Sequence, residues 1–88
     1  MGIVVQKFGG TSVANEESRA RLVAKVIEAR HDGKDVVVVV SAMGRKPAPY
    51  ATDTLLDLVG SVCLTAPPRE RDAIAACGET ISTVVVAA

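Results

Sequence analysis

Several features that would place a chain in a familiar class are scarce in this sequence of 88 residues. Its two cysteines, Cys63 and Cys77, form no C-x-x-C pair, so neither a zinc site nor a disulfide framework is indicated. Ten basic residues balance ten acidic ones, which leaves no overall field favouring nucleic acid or an anionic membrane. The longest apolar runs are about five residues, far too short to span a membrane.

Targeting signals and the best-known phosphate motifs are missing as well. The N-terminus leads directly into an expected strand, without a charged start or a small-residue cleavage site, which predicts a cytoplasmic protein. No G-x-G-x-x-G is present, and Gly33-Lys34 lacks the upstream glycine of a P-loop. His31, the single histidine, falls near an expected helix end, where it favours a dipole partner over a catalyst. The cysteines have apolar neighbours in the sequence and are expected to be buried, inert thiols.

Apolar residues, in contrast, are abundant. They make up 49% of the chain, and the mean hydropathy is +0.32. A domain of this size buries only about 60% of the surface of its unfolded chain. We therefore expect the chain to pack against further copies of itself or to be part of something larger.

The N-terminal stretch combines a strand, a glycine turn and a helix start. The run Ile3–Val5 is short and β-branched, which predicts a buried strand. Gly9 and Gly10 permit a sharp turn with no side chain between the backbone and a ligand. Capping and acidic residues follow, as at a helix N-terminus: Thr11, Ser12, Asn15, Glu16 and Glu17. This order predicts an anion site to which Lys7 adds a point charge; the alternative is a plain connection with a solvated lysine.

The next elements predict a right-handed βαβ unit. Residues 15–30 have helical apolar spacing, and Gly33 suits a left-handed cap. Val36–Val40 is apolar at every position, which is typical of an interior parallel strand covered on both faces. The carboxyl ends of the two strands, with the glycine turn and Ser41–Gly44, should open on the same edge of the sheet.

The second half of the chain predicts helices. A basic loop with Arg45 and Lys46 precedes them, and these two cations either reach a nucleotide phosphate or are solvated. Thr52 or Asp53 is expected to cap one helix. Two prolines then open another, which Gly78-Glu79 is expected to interrupt. Residues 80–88 are rich in β-branched side chains, which favours a strand, but we predict a helix there on the resemblance described next.

Four motifs in order across nearly the whole chain resemble those of the aspartate kinases. Lys7-Phe8-Gly9-Gly10-Thr11-Ser12-Val13 is similar to their opening signature, and Val36–Gly44 to their second-strand motif. Thr52–Leu58 is similar to the following helix, and Glu70–Ser82 to a later helix pair with an embedded glycine-glutamate. The loop Arg45–Ala51 departs from the family pattern by its length. The resemblance implies an α/β fold class, a partial amino-acid kinase fold with a βαβ unit of a parallel sheet followed by helices.

The resemblance also implies functional roles. Lys7, Phe8, Gly9 and Gly10 would line the phosphates of ATP, with Lys7 as the catalytic residue, and Ser41 would lie near the transferred phosphoryl group. Thr52 and Glu79 would hold L-aspartate, and the apolar sequence around Glu79 suggests a buried carboxylate that needs the substrate ammonium. Mg²⁺ is implied as a cofactor, with no metal ligand assigned in this chain. The pathway implied is the biosynthesis of lysine, threonine and methionine.

The resemblance makes residues 1–88 the N-terminal portion of a kinase domain whose nucleotide half and regulatory domains are absent. We therefore expect no turnover from the isolated chain, and we expect self-association into a homo-oligomer through exposed apolar faces. Nucleic acid and membrane partners are not expected. Two alternatives remain open: a non-catalytic anion-binding or assembly module, and an amino-acid kinase with a different acceptor.

Overall fold

The computed structural model describes residues 2–88. Its framework is a parallel two-stranded sheet, with two helices between the strands and two helices after the second strand. The elements in chain order are β1 (Ile3–Phe8), α1 (Gly10–Val13), α2 (Glu16–His31), β2 (Asp35–Val40), α3 (Thr52–Val62) and α4 (Pro68–Ala87). The strands pair in register from Ile3 opposite Asp35 to Phe8 opposite Val40. The predicted α/β class and the parallel strand–helix–strand order are confirmed.

Helix α2 begins and ends within a residue of its predicted bounds, for the predicted reasons. The Asn15 side chain accepts a hydrogen bond from the Ser18 amide at 2.8 Å, so one of the free amides of the first turn is satisfied. His31 lies in the last turn, and Gly33 takes a left-handed conformation at φ 78°. Local chemistry therefore sets the bounds of this helix.

The sheet is covered on one face only within residues 2–88. Val38 and Val40 line an apolar groove together with residues of α2 and α4. On the opposite face Val37 and Val39 remain 49% and 44% exposed. The prediction that both faces of β2 are covered is wrong for the described chain, because α2 and α4 meet the same face and side chains alternate along a strand.

The best-buried residues lie where the connections meet, beyond the carboxyl ends of the strands. Val13 at the end of α1 and Ala51 before α3 are fully buried, and Ala42 after β2 is 5% exposed. Leu22 of α2 is also buried. The core therefore supports the loops at this edge of the sheet, where the site described below is built.

Helix α3 starts differently from the prediction. Its N-cap is Ala51, which makes no side-chain cap hydrogen bond, and Thr52 and Asp53 are already helical. The Asp53 carboxylate instead accepts hydrogen bonds from the amides of Lys46 at 3.2 Å and Thr54 at 3.1 Å. The predicted side-chain cap is wrong because burial of Ala51 determines where the helix begins.

Helix α4 opens at Pro68 as predicted and continues without a break to Ala87. The predicted interruption at Gly78-Glu79, and with it the predicted helix pair, is wrong. The predicted helix over the last segment is confirmed. Two threonine hydroxyls in this segment are satisfied within the helix by donating to the preceding turn. Thr80 Oγ1 donates to the Ala76 carbonyl at 3.1 Å and Thr83 Oγ1 to the Glu79 carbonyl at 2.9 Å.

Gly78 lies inside α4 at a point where the helix packs closely on another part of the chain. A β-carbon at this position would lie 2.8 Å from the Tyr50 carbonyl oxygen and 3.0 Å from side-chain atoms of Ala42 and Leu55. The missing side chain therefore lets α4 pack directly on the loop before α3 and on Ala42.

Replacement of Gly78 by alanine is expected to lower the free energy of unfolding by about 1–2 kcal/mol, because overpacking outweighs the gain in helix propensity. Gly60 of α3 provides the matched control: a β-carbon there meets nothing within 4 Å. Gly60→Ala is expected to raise stability by about 0.5–1 kcal/mol. Parallel urea unfolding followed by circular dichroism measures both, and equal signs for the two variants would contradict the contact argument.

Both cysteines are exposed, so the prediction of buried thiols is wrong. Cys63 is the C-terminal cap of α3, and Cys77 lies on α4 with its thiol donating to the Ala73 carbonyl at 3.3 Å. Apolar neighbours in sequence point in different directions around a helix, so they do not bury one another. No helix among residues 2–88 is long and apolar enough to cross a membrane.

Candidate functional site

The loops that follow β1 and β2 are joined at the carboxyl edge of the sheet. The Ser41 amide donates to the Phe8 carbonyl at 3.2 Å, and the Gly44 amide donates to the Gly10 carbonyl at 2.9 Å. The prediction that both strand ends open on one edge is therefore confirmed. This edge is where open α/β folds bind their ligands.

A cleft of about 410 Å³, which we call the edge cleft, lies at this junction. Three predicted site residues come together in it: Gly10 at the start of α1, Ser41 after β2 and Thr52 at the start of α3. The full lining is Gly10, Thr11, Ser41, Ala42, Gly44, Arg45, Thr52, Asp53 and Leu56. Its hydroxyls and backbone groups both donate and accept hydrogen bonds, which suits a polar, charged ligand.

The two adjacent glycines of the turn have different surroundings. A β-carbon on Gly10 would lie 2.7 Å from the Ala42 carbonyl oxygen and 2.9 Å from the Gly44 carbonyl oxygen. A β-carbon on Gly9 would meet nothing within 4 Å. Gly10 is therefore needed for the contact between two loops, whereas the open space beside Gly9 leaves room for a ligand.

Arg19 of α2 contacts two of the segments that line the edge cleft. Its Nη1 donates to the carbonyl of buried Val13 at 3.0 Å and lies 3.8 Å from the sulfur of Met43. This one guanidinium thus connects α2 with the end of α1 and with the loop after β2. Nothing in the sequence marks this long-range contact.

The sequence left open whether the two cations of the basic loop reach a phosphate or are solvated, and the structure places them in different surroundings. Arg45 lines the edge cleft, whereas Lys46 forms an ion pair with Asp57 of α3. The hydrogen bond that the Lys46 ammonium donates to the Asp57 carboxylate, together with the negative charge of Asp57, raises the pKa of Lys46 above its ordinary value. Arg45 and Asp53 are thus the charged residues lining the cleft. The sequence left Arg45 open between a phosphate contact and solvent, and it considered Asp53 only as a helix cap.

The remaining predicted site residues lie outside the edge cleft. Lys7 is exposed on the uncovered face of the sheet, paired in register with Val39. Phe8 lines a second cavity of about 430 Å³, on the other side of Thr11, together with Arg21 and Lys25 of α2.

Glu79 also lies outside the cleft. It is exposed on α4, one residue beyond the contact between Gly78 and Ala42, so the expected apolar burial of this carboxylate is wrong. Of the residues predicted from the sequence, the structure groups three in one cleft, and the other four are not among its lining residues: Lys7, Phe8, Gly9 and Glu79.

The described residues contain no metal site built from protein side chains alone. No group of three or more histidine, cysteine, aspartate or glutamate side chains suited to a metal occurs within residues 2–88. Asp53 is the carboxylate of the edge cleft, and its Oδ1 already accepts two amide hydrogen bonds. Mg²⁺ in phosphoryl-transfer sites is held largely by substrate phosphates and water, with one or two carboxylates.

The glycine turn, the parallel strands and the cleft at their carboxyl edge define the class to which the chain belongs. The profile of the Amino acid kinase family matches residues 2–88, and the chain belongs to this family. Within the family the similar proteins are aspartokinases. The chain is 54% identical over 85 residues to Aspartokinase 1 of Bacillus subtilis, a match that covers 97% of this chain and 21% of that protein.

Two further comparisons agree. The chain is 48% identical over 87 residues to the aspartokinase of Mycobacterium bovis, covering 99% of this chain and 20% of that protein. The crystal structure of aspartate kinase from Synechocystis superposes with a TM-score of 0.82 at 37% identity, over 96% of this chain and 13% of that one. The chain thus spans about a fifth of the length of the curated relatives it matches.

Proposed function

We propose that the chain forms the N-terminal portion of the kinase domain of an aspartate kinase, which transfers the γ-phosphoryl group of ATP to the side-chain carboxylate of L-aspartate. The observation that carries the proposal is the meeting of Gly10, Ser41 and Thr52 in one cleft, in a chain 54% identical to an aspartokinase. Each of these residues belongs to a different motif of the family resemblance.

Phosphoryl transfer to a carboxylate requires alignment of the two reactants and neutralisation of the charge on the phosphoryl oxygens. The carboxylate of aspartate is already ionised at neutral pH, so no general base is required. A carboxylate oxygen forms the new bond to phosphorus while the bond from phosphorus to the bridging oxygen breaks, giving an acyl phosphate and ADP. The protein contributes by holding the reactants in line and by placing donors around the phosphoryl oxygens.

In this proposal the glycine turn binds the phosphates of ATP, with Gly9 as the open approach and Lys7 as the mobile charge. Lys7, two positions before Gly9, would extend to the turn on its flexible four-carbon stem. Ser41 donates a hydrogen bond near the transferred phosphoryl group, and Thr52, which lines the same cleft, binds aspartate. ATP kinases use Mg²⁺ to neutralise the phosphate charge.

Glu79 completes the proposed aspartate site by pairing with the substrate ammonium. Its carboxylate is exposed and takes part in no ion pair within residues 2–88. Its backbone position is fixed by the contact of neighbouring Gly78 with Ala42, a residue of the cleft wall. An exposed carboxylate that follows this contact on α4 and has no ion-pair partner within residues 2–88 is available to a cationic group of the acceptor.

The proposal is tested by Glu79→Gln in the protein at its natural length, with ATP, Mg²⁺ and L-aspartate, trapping the acyl phosphate with hydroxylamine. We expect the KM for aspartate to rise about 10- to 100-fold because one charge-assisted hydrogen bond to the substrate is lost. The KM for ATP should change less than twofold. Glu70→Gln, an exposed acid on the same helix, is the control and should change neither.

Three outcomes separate the candidate functions. If Glu79→Gln retains turnover with an unchanged KM for aspartate, Glu79 is not part of the acceptor site. Turnover with another carboxylate or a carbamate, but not with aspartate, would establish a kinase with a different acceptor. Absence of turnover together with retained anion binding would favour the non-catalytic module.

Homo-oligomerisation also remains a prediction. It is supported by the uncovered sheet face, where Ile3 is 74% and Val5 63% exposed beside Val37 and Val39. Apolar surface of this kind favours association with another protein surface. The proposed place in lysine, threonine and methionine biosynthesis follows from the family resemblance.

A further inference from the structure

The basic loop before α3 carries two adjacent cations that the structure places in different surroundings. Lys46 is held through both its backbone and its side chain: its amide donates to Asp53 Oδ1, and its ammonium pairs with Asp57. Arg45 precedes it and lines the edge cleft. The loop therefore directs one cation to α3 and leaves the other at the cleft.

The guanidinium of Arg45 has no acidic partner within the described chain. The ion pairs of residues 2–88 are Arg21–Glu17, Arg30–Asp35 and Lys46–Asp57. Asp53, the acid that shares the cleft, uses its Oδ1 to accept the amides of Lys46 and Thr54. Arg45 is thus a positive charge beside a cleft whose other polar side chains are mainly hydroxyls.

The backbone that carries Arg45 is well anchored. The Arg45 carbonyl accepts a hydrogen bond from the Ala48 amide at 2.8 Å, and the Ala48 carbonyl accepts one from the amide of fully buried Ala51 at 3.2 Å. The side chain therefore extends from a folded loop, and less conformational entropy is lost when it binds a ligand.

We propose that Arg45 recognises an anionic group, a carboxylate or a phosphate, on the ligand that occupies the edge cleft, and that it sets the affinity for that ligand. The planar guanidinium binds either group through two parallel hydrogen bonds. Lys46, one residue away, takes no part because Asp57 holds it. The inference rests on the proposed function only for the identity of the ligand.

The test compares Arg45→Met, Arg45→Lys and Lys46→Met in the protein at its natural length. We expect Arg45→Met to raise the KM of one anionic substrate about 10- to 100-fold with less than a twofold change in kcat, since a bidentate charged contact is lost. Arg45→Lys should recover only part of the affinity, because it keeps the charge and loses the planar fork. Lys46→Met should change neither constant by more than twofold.

The substrate whose KM rises identifies the anion. A rise confined to aspartate assigns Arg45 to a carboxylate of the acceptor, and a rise confined to ATP assigns it to a nucleotide phosphate. Equal effects of Arg45→Met and Lys46→Met, or no effect of either, would overturn the inference while leaving the kinase proposal intact.

A binding measurement with inorganic pyrophosphate, by titration calorimetry, separates this inference from the kinase proposal. If the wild-type protein shows no turnover but binds pyrophosphate, and Arg45→Met alone weakens that binding, the kinase proposal fails and the inference stands. If the protein shows no turnover and binds neither pyrophosphate nor L-aspartate, both are overturned.

Discussion

Replacement of Gly10 by alanine is expected to lower the free energy of unfolding by at least about 2 kcal/mol. The added methyl group would be placed 2.7 Å and 2.9 Å from two backbone carbonyl oxygens, those of Ala42 and Gly44. Neither atom belongs to a flexible side chain, and the Gly44 amide is also hydrogen bonded to the Gly10 carbonyl. The two loops must therefore separate, which disrupts the buried junction around Val13.

Gly9→Ala is the control for this substitution. Gly9 has φ −71° and ψ 176°, a conformation that alanine adopts without strain, and its side-chain direction is open. We expect the stability of Gly9→Ala to remain within about 0.5 kcal/mol of wild type. Its affinity for ATP should decrease if the phosphates approach the turn from the open side.

Thermal and urea unfolding of the two variants, measured beside the wild-type protein, distinguishes these roles. Stability losses of equal size would show that the glycine pair acts as a unit. A stable Gly10→Ala protein would contradict the close approach between the glycine turn and the loop after β2. Nucleotide titration of Gly9→Ala then tests the open approach independently of folding.

Replacement of Lys7 by alanine is expected to lower kcat for aspartyl phosphate formation about 10²- to 10³-fold, if the proposed function is correct. Removal of one well-placed donor to developing charge in a protected site costs about 2.7–4 kcal/mol in the transition state. Stability should change little, because Lys7 is exposed and forms no ion pair within residues 2–88. The measurement is steady-state kinetics with hydroxylamine trapping.

Lys34→Ala is the matched control for Lys7. It is another exposed lysine, and the hydrogen bonds at Lys34 are made by its backbone, so truncation of the side chain preserves them. Lys34 precedes β2, at the opposite edge of the sheet from the glycine turn. Full activity of Lys7→Ala would refute a catalytic role for this residue, and a comparable loss in Lys34→Ala would show that the effect is not specific to the turn.

The separate surroundings of Arg45 and Lys46 illustrate what motif reading leaves open. In the sequence they are two neighbouring cations in a proline-containing loop, equally able to meet a phosphate or water. Asp57, eleven positions beyond Lys46, decides between them by forming an ion pair with one. Such a choice depends on where the loop meets α3, and this geometry has no signature in the local sequence.

The sequence by itself determined the elements whose causes are local. Asn15 and Gly33 bound α2, Pro68 opens α4, and the alternation of a strand, a glycine turn, a helix and a second strand predicts the parallel pair. Caps, turns and β-branched runs act within a few residues, so their effects can be derived before the fold is known. The meeting of Gly10 and Ser41 at one sheet edge followed from the parallel topology.

Tertiary structure decided the features that depend on distant contacts. The packing of Gly78 against Tyr50 and Ala42 makes α4 continuous where glycine suggested a break. The placement of α2 and α4 on the same sheet face leaves Val37 and Val39 exposed. Burial and close approach depend on which surfaces meet, and one stretch of chain does not specify its distant neighbours.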